Sequence, residues 1–196
     1  RADSISFGTQ LGSNLYESDG VTKLDGTFTF QLGVFDGFTP TASNTSLWDA
    51  NWKPYDRAID GEGFNPASGF VNHTTTLKSD GTAVAPFDLD GYVFFNQQPY
   101  VWVFNDKVGD ANSEWALYTD AAWSFPGSSA ANNVTTHSFR VEDAGTVVFG
   151  GINDTSSDGG TATFVPATFT IQLHAVPEPT VGGLLVLTFG GALLRR

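Results

Sequence analysis

The sequence predicts an all-β protein, built as an antiparallel β-sandwich of jelly-roll type with one short helix and a C-terminal hydrophobic helix. Aromatic residues make up 14% of the chain, with 17 Phe and 5 Trp, and such residues favour strands. Apolar and polar residues alternate in several segments, and turns rich in Gly, Asp, Asn and Ser separate these segments. At 196 residues the chain suits one domain, so we assign residues 1–175 to a sandwich body and residues 176–196 to a tail.

Strict alternation predicts strands with one buried face. In Thr27–Phe35 the apolar side chains of Phe28, Phe30, Leu32 and Val34 fall on one side of an extended chain. The same period predicts four further strands, at Phe70–Lys78, Ser138–Val141, Thr146–Phe149 and Thr168–Leu173.

Continuous apolar runs predict central strands that are buried on both faces. Gly91–Phe95 and Tyr100–Phe104 are such runs, and the turn-like segment Asn96–Pro99 between them favours a hairpin. Glu114–Thr119 predicts a third strand after a polar loop.

The short helix is expected before the middle of the chain. Asn44 or Thr45 is a suitable N-cap, and Trp48 and Trp52, four residues apart, would lie on one side of the helix. Pro54 would end it, because proline cannot continue a helix.

Charge and composition exclude several functions. The formal net charge is −12 and the pI is near 4.3, so the chain repels nucleic-acid phosphates and anionic lipid headgroups, and we expect no nucleic-acid partner. Without cysteine there is no disulfide, no thiolate metal site and no cysteine nucleophile. Because the chain begins at Arg1 and contains no Met, we expect either a removed signal peptide or a fragment.

The tail combines three segments of different physical character. Val176-Pro177-Glu178-Pro179-Thr180 contains two prolines, which favour an extended, exposed hinge. An uncharged apolar run follows at 181–194 and is short for a membrane span, since a helix rises about 1.5 Å per residue. Two arginines close the chain, and the positive-inside rule places them in the cytoplasm. The expected membrane anchor comprises Leu184, Leu185, Val186, Leu187, Phe189, Leu193, Leu194, Arg195 and Arg196.

This order of proline motif, short apolar helix and terminal arginines resembles the PEP-CTERM sorting signal. The resemblance implies recognition by an exosortase, a membrane protease-transpeptidase, with Pro177, Glu178 and Pro179 as the sorting motif. It further implies an exported protein of a Gram-negative bacterium, held transiently in the inner membrane and then delivered to the cell surface or the extracellular polysaccharide matrix.

The body carries a second resemblance. Leu32–Trp52, with its Leu-Gly-x-Phe and Trp-x-x-x-Trp patterns, together with Val101–Asn105 and Glu114–Leu117, is similar to uncharacterised PEP-CTERM proteins of verrucomicrobial type. This similarity implies no particular activity for the body.

No catalytic pattern stands out, and we expect a protein that is not an enzyme. The histidines His73, His137 and His174 lie in separate predicted strands, without the spacing of zinc ligands. The chain has no Gly-x-Ser-x-Gly elbow, phosphate loop or His-Glu-x-x-His motif. A glycoside-hydrolysing pair of carboxylates, with Glu114 or Glu142 beside an Asp, is the enzymatic alternative.

Two binding hypotheses accompany the sorting prediction. Exposed indole rings stack on sugars, so Trp48, Trp52 and Trp123 are candidate sugar-binding residues of a lectin-like sandwich. Oxygen-bearing residues of one loop, Asp106, Asp110, Asn112 and Glu114, are a candidate calcium site, although Asp and Asn are also ordinary turn formers. Calcium is the one candidate cofactor.

Overall fold

The computed structural model describes residues 3–88, 91–128, 136–153, 155–156 and 169–177, and this part of the chain is mostly β-structure. The strands are β1 (Asp3–Gly8), β2 (Leu15–Tyr16), β3 (Thr29–Phe35), β4 (Trp52–Asp60), β5 (Gly63–Asn65), β6 (Phe70–Leu77), β7 (Tyr100–Phe104), β8 (Glu114–Thr119), β9 (Thr136–Arg140), β10 (Thr146–Phe149), β11 (Gly151–Ile152), β12 (Thr155–Ser156), β13 (Ile171–Gln172) and β14 (His174–Ala175). Helical segments are short: the helix α1 (Trp48–Asn51) and 3₁₀ turns at Thr45–Leu47, Pro66–Ser68 and Val141–Asp143.

Ten strands form one mixed sheet. Nine follow the order β10-β8-β7-β3-β4-β5-β6-β1-β9, and β14 pairs with β8 beside this path. Most neighbours are antiparallel, but β4 pairs with β5 and β1 with β9 in parallel. The expectation of a purely antiparallel arrangement is therefore corrected. The long connection between β1 and β9 permits their parallel pairing, whereas β4 and β5 are separated by only two residues and pair over Ile59–Asp60 and Gly63–Phe64.

The main core joins distant parts of this sheet. Phe30, Leu32 and Val34 of β3 share one buried cluster with Ile5 of β1 and Phe139 of β9. Strands β4, β6, β7 and β8 contribute further side chains to the same cluster. The two ends of the strand order therefore enclose a common apolar interior.

An aromatic cluster covers the opposite face of β3, β7 and β8. Its buried members are Phe35, Trp48, Trp52, Trp102, Phe104, Trp115, Leu117, Phe149 and Val176. Because successive side chains of a strand point to opposite faces, β7 and β8 supply residues to both clusters. Strand β3 is likewise buried along both faces, and the expectation of one solvent-facing side was wrong for it.

A second, four-stranded sheet lies beside the first, with the order β12-β11-β13-β2. Its strands are two residues long, and β13 pairs with β2 in parallel through Ile171 and Leu15. Phe169, Ile171 and Leu173 are buried, as the alternation predicted, although only Ile171–Gln172 forms a regular strand in the described part of that segment.

Several predicted strands are confirmed. Tyr100–Phe104 and Glu114–Thr119 form β7 and β8 over the predicted residues, and Thr146–Phe149 forms β10. Phe70–Leu77 and Thr136–Arg140 agree with two other predictions within a few residues.

The predicted strand at Gly91–Phe95, and with it the hairpin to β7, is wrong. Phe94 is buried, but its N–H donates to the carbonyl of Gly81 at 2.8 Å rather than to a neighbouring strand. Gly91 and Asn96, with φ of 63° and 58°, adopt the left-handed region, which interrupts an extended chain. The apolar run Gly91–Phe95 therefore belongs to an irregular segment, and the buried ring of Phe94 accounts for its apolar character.

The predicted short helix forms, with different ends. Asn44 is the N-cap of the 3₁₀ turn Thr45–Leu47, and Leu47 is the N-cap of α1. The side-chain oxygen of Asn44 caps neither and accepts instead from Thr41 N–H and from the Trp48 indole N–H. Helix α1 ends at Asn51, and Pro54 lies inside β4, next to an irregularity in the pairing with β3. A proline is tolerated at such a position because the regular ladder is already interrupted.

Tail residues 178–196, with the predicted hydrophobic helix and membrane anchor, lie outside the described residues. Within the described part of the chain, no helix has both the length and the hydrophobicity needed to cross a membrane.

Candidate functional site

The described body ends in a fixed strand followed by an exposed proline. His174 and Ala175 of β14 pair with Trp115 and Glu114 of β8. The next residue, Val176, is only 3% exposed and belongs to the aromatic cluster. Pro177 is exposed. Val176, which the sequence analysis placed in the tail, therefore packs with the described body.

Val176 is held by its backbone as well as by its side chain. Its N–H donates to the carbonyl of Ser113 at 2.8 Å. Ser113 is itself fully buried, and its hydroxyl donates to Asp106 Oδ1 at 2.6 Å while accepting the N–H groups of Gly109 and Asp110. The loop before β8 is therefore a compact anchor for the last residue of the body.

The same loop contains the candidate calcium ligands, and the structure gives them other roles. Asp106 Oδ1 also accepts the N–H of Val108, and Asp110 Oδ1 accepts the N–H of Asn112, as in ordinary Asx turns. Glu114 is directed away from the loop and accepts the N–H and hydroxyl of Ser18.

The described residues contain no group of three or more His, Asp or Glu side chains arranged to hold a metal. The Asx turns use oxygens that calcium would need, and Glu114 is bound to a different loop. The side chains of Asp106, Asp110, Asn112 and Glu114 therefore do not converge on one point in the described structure.

Two of the three predicted sugar-binding tryptophans are buried. Trp48 has no exposed area and Trp52 is 5% exposed. Their indole N–H groups donate to Asn44 Oδ1 at 2.9 Å and to Gln31 Oε1 at 2.7 Å. Neither ring offers a face to a sugar, and their assignment as surface platforms is wrong. Burial of a hydrogen-bonded Trp is the commoner outcome in a large core.

Gly33 shows why Trp52 lies so deep. A Cβ atom at Gly33 would lie 2.6 Å from the Trp52 ring, so the ring rests directly on the backbone of β3. The Leu-Gly-x-Phe pattern of the sequence thus marks an aromatic packing site.

Lys107 covers one side of the aromatic cluster. Its ammonium lies 4.5 Å from the centroid of Trp102 and 5.1 Å from that of Phe104, within cation–π range. Asp49 lies 3.2 Å from the same ammonium. Burial lowers the pKa of Lys107, and the adjacent carboxylate of Asp49 opposes that effect.

Trp123 is partly exposed and is the one predicted platform that reaches solvent. Its ring packs against Phe139 at a centroid distance of 5.6 Å, with the planes 49° apart. One ring alone does not supply the pair of coplanar surfaces expected for a tryptophan-based sugar site.

The histidines lie in three different strands, as predicted. His73 in β6 pairs with Asp56 of β4 at 3.4 Å, and the hydrogen bond to this carboxylate raises its pKa. His137 lies in β9, and His174 in β14 packs against the ring of Phe149. None of the three belongs to a group of three or more possible metal ligands among the described residues.

The structure also contains a groove that no local sequence pattern predicts. Asp36, Lys53, Phe87 and Tyr92 line it, and the buried ring of Phe94 lies at its bottom. Its residues come from three separate segments of the chain. The only sequence signal was the Gly91–Phe95 run, which periodicity assigned to a strand.

Glu142 is the most unusual carboxylate. Its side chain is only 10% exposed, although it carries a charge. Desolvation raises its pKa, although Arg140 lies 3.5 Å away. It lines a polar pocket with Ser13 and Asp143, among other residues. Asp143 lines the same pocket, and its charge adds to the effect of burial in raising the pKa of Glu142.

Comparisons with protein-family models, with curated proteins and with solved structures find no match for this chain.

Proposed function

We propose that the protein is an exported, non-enzymatic protein of a bacterial surface or extracellular matrix, sorted through its PEP-CTERM-like tail. The observation that supports this most is the junction. The chain is fixed as far as Val176, and Pro177, the first residue of the proposed motif, is exposed. A membrane protease needs access to its recognition motif, and the exposure of Pro177 supports such access.

The proposed partners follow from the tail. An exosortase would recognise Pro177, Glu178 and Pro179, while the apolar run and the two arginines hold the chain in the inner membrane before processing. The acidic body would remain outside, which agrees with the positive-inside rule for Arg195 and Arg196.

We further propose that the body is a β-sandwich. Strands β6, β1 and β9 at one end of the order share a core with β3, β7 and β8 towards the other, as two packed layers would. The aromatic cluster packs on the other face of β3, β7 and β8, away from the shared core.

The sorting proposal is tested by replacing Pro177, Glu178 and Pro179 together by Ala in the full chain. Expressed in a Gram-negative host with an exosortase, this variant should accumulate unprocessed in the inner membrane, while the wild-type chain leaves it. Pro66→Ala, a proline replacement within the body, is the control and should be processed normally. Normal processing of the triple variant would refute the proposal.

A second candidate function is carbohydrate binding by the body. The groove beside Tyr92 favours it, because aromatic rings and two charged groups line one concave surface. This candidate concerns the activity of the body and is independent of the sorting route.

A further inference from the structure

The groove lies where β3 ends and β4 begins. Asp36 follows β3, Lys53 and Pro54 belong to the start of β4, and Phe87 and Tyr92 come from the segment that precedes β7. Its volume is about 280 Å³, near the lower end of small-molecule sites, which begin at roughly 300 Å³. A space of this size suits one small ring rather than a peptide or a long chain.

The aromatic wall is held by the core behind it. Tyr92 packs against Phe94 with a centroid distance of 5.0 Å and an interplanar angle of 72°. Phe94 is 1% exposed and packs in turn on Tyr55 and Phe125. The hydrogen bond from Phe94 N–H to Gly81 fixes the backbone. The half-buried Tyr92 ring therefore presents a face whose position is set before any ligand arrives.

Two opposite charges border this wall. The ammonium of Lys53 lies 6.0 Å from the centroid of Tyr92. Asp36 lines the same groove as Tyr92. Burial raises the pKa of the Tyr92 phenol, and the charge of Asp36 adds to this effect. Beside the aromatic ring, Asp36 thus offers hydrogen-bond acceptors and Lys53 offers donors. The opposite charges of these two residues cancel.

We propose that this groove binds one neutral pyranose unit of a glycan; the inference rests on the second proposed function. The apolar face of the sugar would lie on Tyr92, and Phe87 and Pro54 would border it. Adjacent hydroxyls would donate to Asp36 and accept from Lys53. An anionic sugar is disfavoured, because Asp36 faces the ligand and the protein carries a formal charge of −12.

Binding is tested on the full chain with a panel of methyl pyranosides of glucose, galactose and mannose, with neutral hexasaccharides, and with a uronate hexasaccharide. Saturation-transfer NMR detects binding, and calorimetry measures the affinity. At least one neutral probe should bind the wild-type chain, and Tyr92→Ala should weaken it about tenfold or more. Tyr92→Phe, which keeps the ring, should stay within about twofold of the wild type.

The charged positions give an independent readout. Asp36→Asn and Lys53→Ala should each weaken binding about fivefold, whereas Lys23→Ala, a matched loss of an exposed lysine, should leave it unchanged. Urea midpoints establish that every variant is folded. If Tyr92→Ala fails to fold, the charge variants alone decide the outcome.

The outcomes separate the two proposals. Binding that the groove variants leave unchanged would overturn the groove and retain carbohydrate binding elsewhere on the body. Binding of the uronate probe alone would overturn the neutral ligand. No binding of any probe would overturn both the groove and the second proposed function.

Discussion

Replacing Trp48 by Ala removes the side chain at the centre of the aromatic cluster. The ring is fully buried, and its centroid lies 5.6 Å from that of Trp115, 5.7 Å from that of Trp102, 5.9 Å from that of Phe149 and 6.2 Å from that of Phe35. A buried Trp→Ala change costs about 3–5 kcal/mol, from lost transfer free energy and from the cavity left behind. The substitution also removes the donor to Asn44. We expect a loss of about 4 kcal/mol, a large part of the roughly 5–15 kcal/mol typical of a domain.

Urea denaturation followed by far-UV circular dichroism measures this loss as a shift in the free energy of unfolding at constant slope. Leu47→Ala is the control: the side chain is adjacent in sequence but 51% exposed, so its loss should stay below about 1 kcal/mol. Trp48→Phe keeps part of the packing and should cost about 1–3 kcal/mol. A Trp48→Ala loss as small as that of the control would refute the buried position of the ring.

Two further predictions concern titratable groups. Because the folded pKa of His73 is raised, its pairing with Asp56 stabilises the protein fully below the unfolded value of 6.5 and less as pH rises through the folded pKa. His73→Gln should thus cost about 1 kcal/mol at pH 5 and much less at pH 9 in urea titrations, and an equal cost at both would contradict the pairing. The raised folded pKa of Glu142 means that stability falls as pH rises from 4.5 through that value. Glu142→Gln should therefore stabilise the protein by about 1 kcal/mol at pH 7 and by less at pH 4, and destabilisation at pH 7 would show that the ion pair with Arg140 outweighs the cost of burying the carboxylate.

Local sequence patterns identified strands that are continuous and flanked by turns. Tyr100–Phe104 and Glu114–Thr119 were predicted at their observed bounds, because both faces are apolar and polar loops end them. Strand β4 was not predicted, because it contains Pro54 and several charged residues, and proline argues against a central strand. The irregular path of Gly91–Phe95 was also missed. Phe94 is buried by tertiary packing, and in the sequence such a residue cannot be told from one that is buried in a strand.

Candidate sites were harder to predict than strands, because they depend on which segments meet. Nothing near Trp48 in the sequence shows that Trp102 and Trp115 enclose it from two other strands. The groove likewise unites Asp36 with Tyr92 across more than fifty residues. The proposed tail motif, in contrast, is contiguous in the sequence and needs no contact between distant segments to be proposed, whereas the burial of Val176 required the structure.

The most direct test of the sorting account is the C-terminus of the exported wild-type chain. The full chain is produced in a Gram-negative host with and without an exosortase, and the protein outside the inner membrane is analysed by intact mass and C-terminal peptide sequencing. With the exosortase, the account predicts that the body reaches the outside without the segment Leu184–Arg196. Recovery of external protein that still carries this segment, at equal yield in both hosts, would contradict it.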